Sequence, residues 1–196
     1  MLLGPIVGAL FGCQPRSTKF FIDDHRDGAS ATRYFEAFPE CYYCIDAHKH
    51  VDIVGLRRTG GDTDNPGTEP AVQVIHIRQV WEANPGTTFA EESMINATVN
   101  YMIVGPEGGM SFEGGGFVSH RENRHETELT GKLESSALTP LRQAGAGSDL
   151  FERVAVTGTF VAQRDKRQVV RILNEMKRLF GPRPRYFHPP TDPDLR

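Results

Sequence analysis

The stretch VAVTGTFVAQRDKRQVVRILNEMKRLFG, residues 154–181, joins the two kinds of element from which the chain is built. Val154, Val156, Gly158 and Phe160 alternate with Ala155, Thr157 and Thr159, the two-residue period of a strand with one buried face. The period then changes. Beyond Asp165, the residues Val169, Leu173, Met176 and Phe180 fall at i, i+4, i+7 and i+11, one apolar stripe along a helix. Asp165 with Gln168 three residues on resembles a capping box with Asp in the cap position, which satisfies free N–H groups of the first turn. Gly181 reads as a left-handed C-terminal cap, and Pro182 prevents continuation. Burying the four stripe side chains offers about 6–12 kcal/mol of gross transfer energy, so the helix needs an apolar surface to cover.

That surface is predicted upstream. Ala97, Val99, Tyr101 and Ile103 alternate with Thr98, Asn100 and Met102, which reads as one side toward a core and the other toward water. Ile75, Ile77 and Trp81 share a face opposite His76 and Arg78, and the turn Asn84-Pro85-Gly86 follows. Met110 to His120 carries Phe112, Phe117 and Val118 around Gly114-Gly115-Gly116, where a bulge, a bend or close approach by another backbone is expected. Leu129, Gly131 and Leu133 oppose Glu128, Thr130 and Lys132. Cys41 to Ile45 and Val51 to Arg57 read as a hairpin with His48 and His50 in its turn. Ser30 to Pro39 fits either a short helix or an extended segment. Short strands with tight turns favour antiparallel pairing. The expected fold class is therefore α+β: an antiparallel sheet, curved or sandwiched, with one C-terminal amphipathic helix packed on it.

The net charge of −3 and 24% charged residues describe an ordinary surface and give no reason to expect a nucleic-acid partner. No repeat of 20–50 residues is visible. Three cysteines are too few for a disulfide-dense scaffold.

At the N-terminus, Leu2, Leu3, Ile6, Val7, Ala9, Leu10 and Phe11 form an uncharged apolar run closed by Leu10-Phe11-Gly12-Cys13. The run is long enough for a signal h-region and too short to span a bilayer, which needs about 20 helical residues. It resembles the end of a bacterial lipoprotein signal peptide. The resemblance implies that Cys13 is lipidated with acyl chains such as palmitate, and that Gln14 directs sorting to the outer membrane, facing the periplasm. On this reading residues 1–12 are signal peptide, 13–30 a tether whose Phe20-Phe21-Ile22 can dock on the core, 31–181 a single α+β domain and 182–196 a tail rich in Pro and Arg.

Several clusters carry candidate chemistry. Cys41-x-x-Cys44 with His48 and His50 offers two thiolates and two imidazoles, the donor set of a tetrahedral zinc site. No cofactor is assigned, and zinc is the metal this donor set would take. If the segment is a strand, the two cysteines point to opposite faces about 10 Å apart, beyond the reach of a common metal or a disulfide. Asp62, Asp64, Asn65 and Glu69 are calcium-compatible oxygens in a turn-forming loop. His120, Arg121, Glu122, Arg124, His125 and Glu126 cluster at a strand connection, where Glu122 with His125 offers an acid–base pair. Arg164, Lys166, Arg167, Arg171, Lys177 and Arg178, with Arg183 and Arg185 beyond, form a basic face that suits anionic headgroups or a solvated helix.

No nucleophile or oxyanion site stands out. The reading favoured by the sequence is a lipid-anchored envelope protein, a binding, scaffold or accessory module of an envelope assembly, with no catalytic residue assigned. The alternatives are a metal-dependent or acid–base enzyme and, if the N-terminus is structural, a cytosolic ligand-binding domain.

Overall fold

Period-two alternation dominates the chain, and a computed structural model turns it into a barrel. The structure describes residues 17–25, 31–60, 71–81, 95–145, 151 and 153–181. Cys13, the loop with Asp62 to Glu69, and residues 182–196 lie outside the described residues. The strands are β1 (Thr18–Asp24), β2 (Thr32–Phe38), β3 (Glu40–Ile45), β4 (Val51–Thr59), β5 (Ala71–Gln79), β6 (Ala97–Gly105), β7 (Gly108–Glu122), β8 (Glu128–Gly145) and β9 (Val154–Arg164). One helix, α1 (Lys166–Phe180), follows at once.

Strands β3 to β8 pair in chain order, each antiparallel to the next. β9 then pairs antiparallel with β8 and, along its other edge, parallel with β3 through Tyr42↔Gln163 and Tyr43↔Arg164. These two pairings close a ring of seven strands. The expected α+β architecture is present, but the sheet is mixed, and its curvature runs to closure. A closed ring removes the exposed edges that an open sheet must protect.

β1 corrects the tether expected over residues 13–30. Phe20 and Ile22 are buried in the barrel interior, and β1 lies between β9 and β2. The alternation of Phe20 and Ile22 with Lys19 and Asp23 outweighed the polar composition of the segment. β1 reaches β9 because residue 158 is glycine: at φ +159°, a Cβ there would lie 2.2 Å from the Lys19 carbonyl oxygen. Of the stretch left open between helix and strand, Thr32–Phe38 is the extended strand β2.

The alternation sorts side chains into two clusters. Phe20, Tyr43, Ile53, Ile77, Val99, Tyr101, Phe112, Leu133 and Phe160 are among those that fill the barrel. On the outside, Cys44, Val54, Leu56, Val74 and Met102 meet Val169, Ile172 and Met176 of α1. The outer face of β6, read as water-facing, is therefore partly covered by the helix. Ile172, absent from the stripe drawn on the sequence, is fully buried, whereas Leu173 and Phe180 are only half-buried. The Asp165 carboxylate accepts from the backbone N–H of Arg167 and Gln168, as expected of the cap, but the box does not close: Gln168 Oε1 accepts from Arg171, and the Asp165 N–H donates to the Tyr43 carbonyl. Gly181 has positive φ but extended ψ (77°, 177°), so it is not a left-handed α cap. Arg142 Nη1 instead donates to the Phe180 carbonyl at 2.5 Å.

The three consecutive glycines of β7, Gly114 to Gly116, are sites of close approach. A Cβ at Gly114 would sit 1.8 Å from the Ala137 carbonyl oxygen, and one at Gly116 2.8 Å from that of Ser135. The β7–β8 register shifts on either side of them, between Ser111 and Phe112 and between Phe117 and Val118. β8 runs on to Gly145, well past the strand expected to end at Leu133.

Candidate ligand site at the barrel mouth

One end of the ring is shaped by two turns. The β3–β4 turn is organised by Asp46, whose Oδ1 accepts from the N–H groups of His48 (2.8 Å) and His50 (2.9 Å). This is the side-chain-to-backbone bonding that favours Asp at turns. Burial opposes the Asp46 charge, but these two N–H groups and the His50 ring at Oδ2 outweigh it and hold the carboxyl down to about 2. Arg78 of β5 bridges Asp46 Oδ2 (2.8 Å) and Asp52 Oδ2 (2.9 Å). Asp52 Oδ1 lies 2.7 Å from His76 Nε2, and both side chains are buried. Burial opposes the Asp52 charge too, yet the His76 and Arg78 contacts prevail and keep its carboxyl below the usual range. This network on the outer face ties the hairpin turn to β5.

The β7–β8 turn is held by Asn123, whose Oδ1 accepts from the Thr127 and Glu128 N–H groups. Glu126 sits in it at φ 54° and pairs with Arg164 at the end of β9.

Between the turns lies a cavity of about 640 Å³. Ile45 and Val51 form its apolar wall, with Trp81 half-exposed at the edge. Gln79, His120 and Glu122 line the wall opposite, with Lys49, Arg121 and Glu126 also on the lining. Gln79, His120 and Glu122 continue the inward parity of Ile75, Ile77 and Val118, so the barrel interior turns polar at this end. The polar groups pair with one another. His120 Nε2 lies 2.5 Å from Gln79 Oε1. Tyr43 shares its hydroxyl between Glu122 Oε1 (2.5 Å) and the Glu126 carbonyl (3.0 Å). Burial, reinforced by Glu122, pushes the Tyr43 phenol up, so it stays a proton donor. Two cations face two carboxylates on the lining, which leaves the mouth close to neutral.

The structure divides the residues singled out in the sequence. Cys41 belongs to the interior cluster and Cys44 to the outer one, and both thiols are free. His48 is exposed in the turn, and His50 is held by Asp46. The four do not converge, and no cluster of three or more His, Cys, Asp or Glu placed to hold a metal occurs among the described residues. The zinc candidate is therefore corrected: β3 is a regular strand, and residues three apart on it face opposite ways. Burial raises the Cys41 thiol to about 12, against a smaller opposing effect of Thr18, and it is chemically quiet.

The acid–base pair shifts partner. Glu122 lines the mouth, but His125 is exposed in the turn, and it is His120, two residues from Glu122 on the same strand face, that joins it. Tyr43, Gln79 and Trp81 were not singled out as functional. The signal available for Gln79 was a polar residue continuing an apolar alternation at a strand end.

On the basic face, Arg164 pairs with Glu126 and Arg171 with Glu175, while Lys166, Arg167, Lys177 and Arg178 are exposed. No described helix is long and apolar enough to cross a membrane.

Fold and mouth together define a class: a closed β-barrel with one helix strapped to its flank and a polar-lined pocket at one end. Compared with known proteins, the chain matches no family model, no curated protein and no solved structure.

Proposed function

We propose that the protein is a non-catalytic binding module that takes a small neutral or zwitterionic molecule in the barrel mouth. The observation that carries this reading is the interior row that ends in Gln79, His120 and Glu122 around a cavity of about 640 Å³. Concave, mostly apolar pockets with a few placed polar groups are the usual form of small-ligand sites, and barrel mouths are a common location. Balanced charge on the lining favours hydroxyl- and amino-bearing ligands over simple ions. Lipid on Cys13 would hold the module at the cell envelope, where the exposed cations of α1 could rest on anionic headgroups; the motif Leu10-Phe11-Gly12-Cys13 supports that anchor.

Trp81 is the sole tryptophan and lines the mouth, so its emission reports occupancy directly. A library of small hydroxy and amino compounds should include ligands that shift Trp81 emission, with affinity about tenfold lower in Gln79→Leu and Glu122→Gln. A library in which nothing shifts it, or ligands indifferent to both substitutions, would overturn the mouth reading. Cys13→Ala should release the protein from the membrane fraction; unchanged partitioning would remove the anchor.

A second reading, an acid–base enzyme, draws on His120 and Glu122 lining one cavity. Turnover of a mouth ligand that His120→Asn abolishes while binding persists would favour it.

A further inference from the structure

We propose a second ligand site, on the flank of the barrel beneath α1, that binds a small organic monocarboxylate with an apolar body. A cavity of about 370 Å³ lies there between the outer face of β6–β8 and the last two turns of the helix. Its floor is set by sheet register. Met102 pairs with Ser111, and Ser111 with Arg142, so these three form one row across β6, β7 and β8. Asn100 stands two residues along β6 on the same face, diagonal to Ser111. Leu173, Met176 and Phe180 of α1 close the cavity from above.

The floor holds a hydrogen-bond donor in want of an acceptor. Asn100 is 4% exposed, lines the cavity, and its buried Nδ2 makes no hydrogen bond among the described residues. Most buried amides are paired, because an unpaired one forfeits its hydration without replacement. Beside it, the Ser111 hydroxyl contacts the Arg142 carbonyl only at 3.5 Å, the outer limit of such a bond, and can turn to another acceptor. Apart from the neutral amide of Asn174, the other polar groups of the wall point to the same ligand chemistry. Arg142 and Lys177 line the cavity, and among the described residues no carboxylate does. Glu113, the register partner of Asn100 on β7, is not on the lining.

Two cations, an amide donor and a hydroxyl select an anionic oxygen ligand. Met102, Leu141, Leu173, Met176 and Phe180 select an apolar body attached to it. The pairing of Arg142 Nη1 with the Phe180 carbonyl holds the guanidinium in the wall and fixes the helix end over the cavity. The site is separate from the mouth and stands whether or not the mouth binds anything.

Calorimetric titration of the full chain with octanoate tests the proposal, with octanol and inorganic phosphate as the two half-ligands. The expected result is saturable binding of one octanoate per chain, with each half-ligand at least about tenfold weaker. Lys177→Glu, a change at an exposed position, should weaken octanoate at least about tenfold, and Leu173→Trp, which fills the cavity, should abolish it. Lys132→Glu, the same charge change elsewhere on the barrel, should leave it unaltered. Absence of saturable octanoate binding would reject the site. So would octanol or phosphate binding as tightly as octanoate, or an affinity that Lys177→Glu leaves unchanged.

Discussion

The mouth and the flank are both places where a polar side chain occupies a buried row, and they resolve it differently. At the mouth the polar groups satisfy one another, His120 with Gln79 and Tyr43 with Glu122. On the flank, the Nδ2 of Asn100 is left without a partner among the described residues. A paired set is rigid and presents its remaining edges to a ligand at little cost. An unpaired amide is a standing penalty that a ligand relieves on binding. The two cavities also differ in charge, near balance at the mouth and cationic on the flank, so they should not compete for the same molecules.

The largest expected effect bears on what holds the mouth in shape. Asp52→Ala removes the shared partner of His76 and Arg78 in a buried network and should destabilise the fold by about 3 kcal/mol in urea unfolding. A loss near zero would mean that the outer network does not support the hairpin that forms one rim.

Next in size is a matched pair of substitutions. Tyr43→Phe strands the Glu122 carboxylate and should cost about 1–2 kcal/mol. Asn100→Leu removes an unpaired buried amide and should be neutral or stabilising by about 1 kcal/mol, while abolishing octanoate binding. If Asn100→Leu proved the more costly of the two, the contrast between a paired mouth and an unpaired flank would fail.

The smallest effect is acidic. Asp46 and Asp52 both have carboxyls held below their unfolded values. Their contribution to stability is complete above the unfolded value of about 4 and is lost as pH falls through the folded one, near 2 for Asp46. Asp46→Asn should therefore lower Tm at neutral pH and flatten its decline between about pH 4 and pH 2, the two chains converging at the acid end. A decline as steep as in the parent chain would show that the β3–β4 turn does not carry the acid sensitivity.

Much of the architecture was legible from residue order. The alternation in β5, β6 and β9, the hairpin around His48 and His50, and the Asp165 cap all appear where the periods and spacings put them. β1 was hidden because Lys19, Asp23 and Asp24 mask the two inward side chains Phe20 and Ile22. The far half of β8 was hidden because bulges at Glu134 and Leu141 break its alternation. The mouth was half legible: Glu122 and His120 lay in a marked cluster, while the histidine assigned to the pair, His125, turned out to sit in the turn. Strand parity separates them, since residues 120 and 122 share a face and 125 lies beyond the strand end.

The sequence by itself determined most of the strands and the one helix, because those follow from local periods of two and 3.6 residues and from caps within a few positions. It also determined that Cys41 and Cys44 face apart once they lie on a strand. Closure of the ring, the pairing of β3 with β9 and the position of both cavities were decided only by tertiary structure. The contacts that make the mouth join Tyr43 to Glu122 across 79 residues and Gln79 to His120 across 41. No local pattern encodes such pairs: they depend on the register of strands distant in the chain, set by how the whole interior packs.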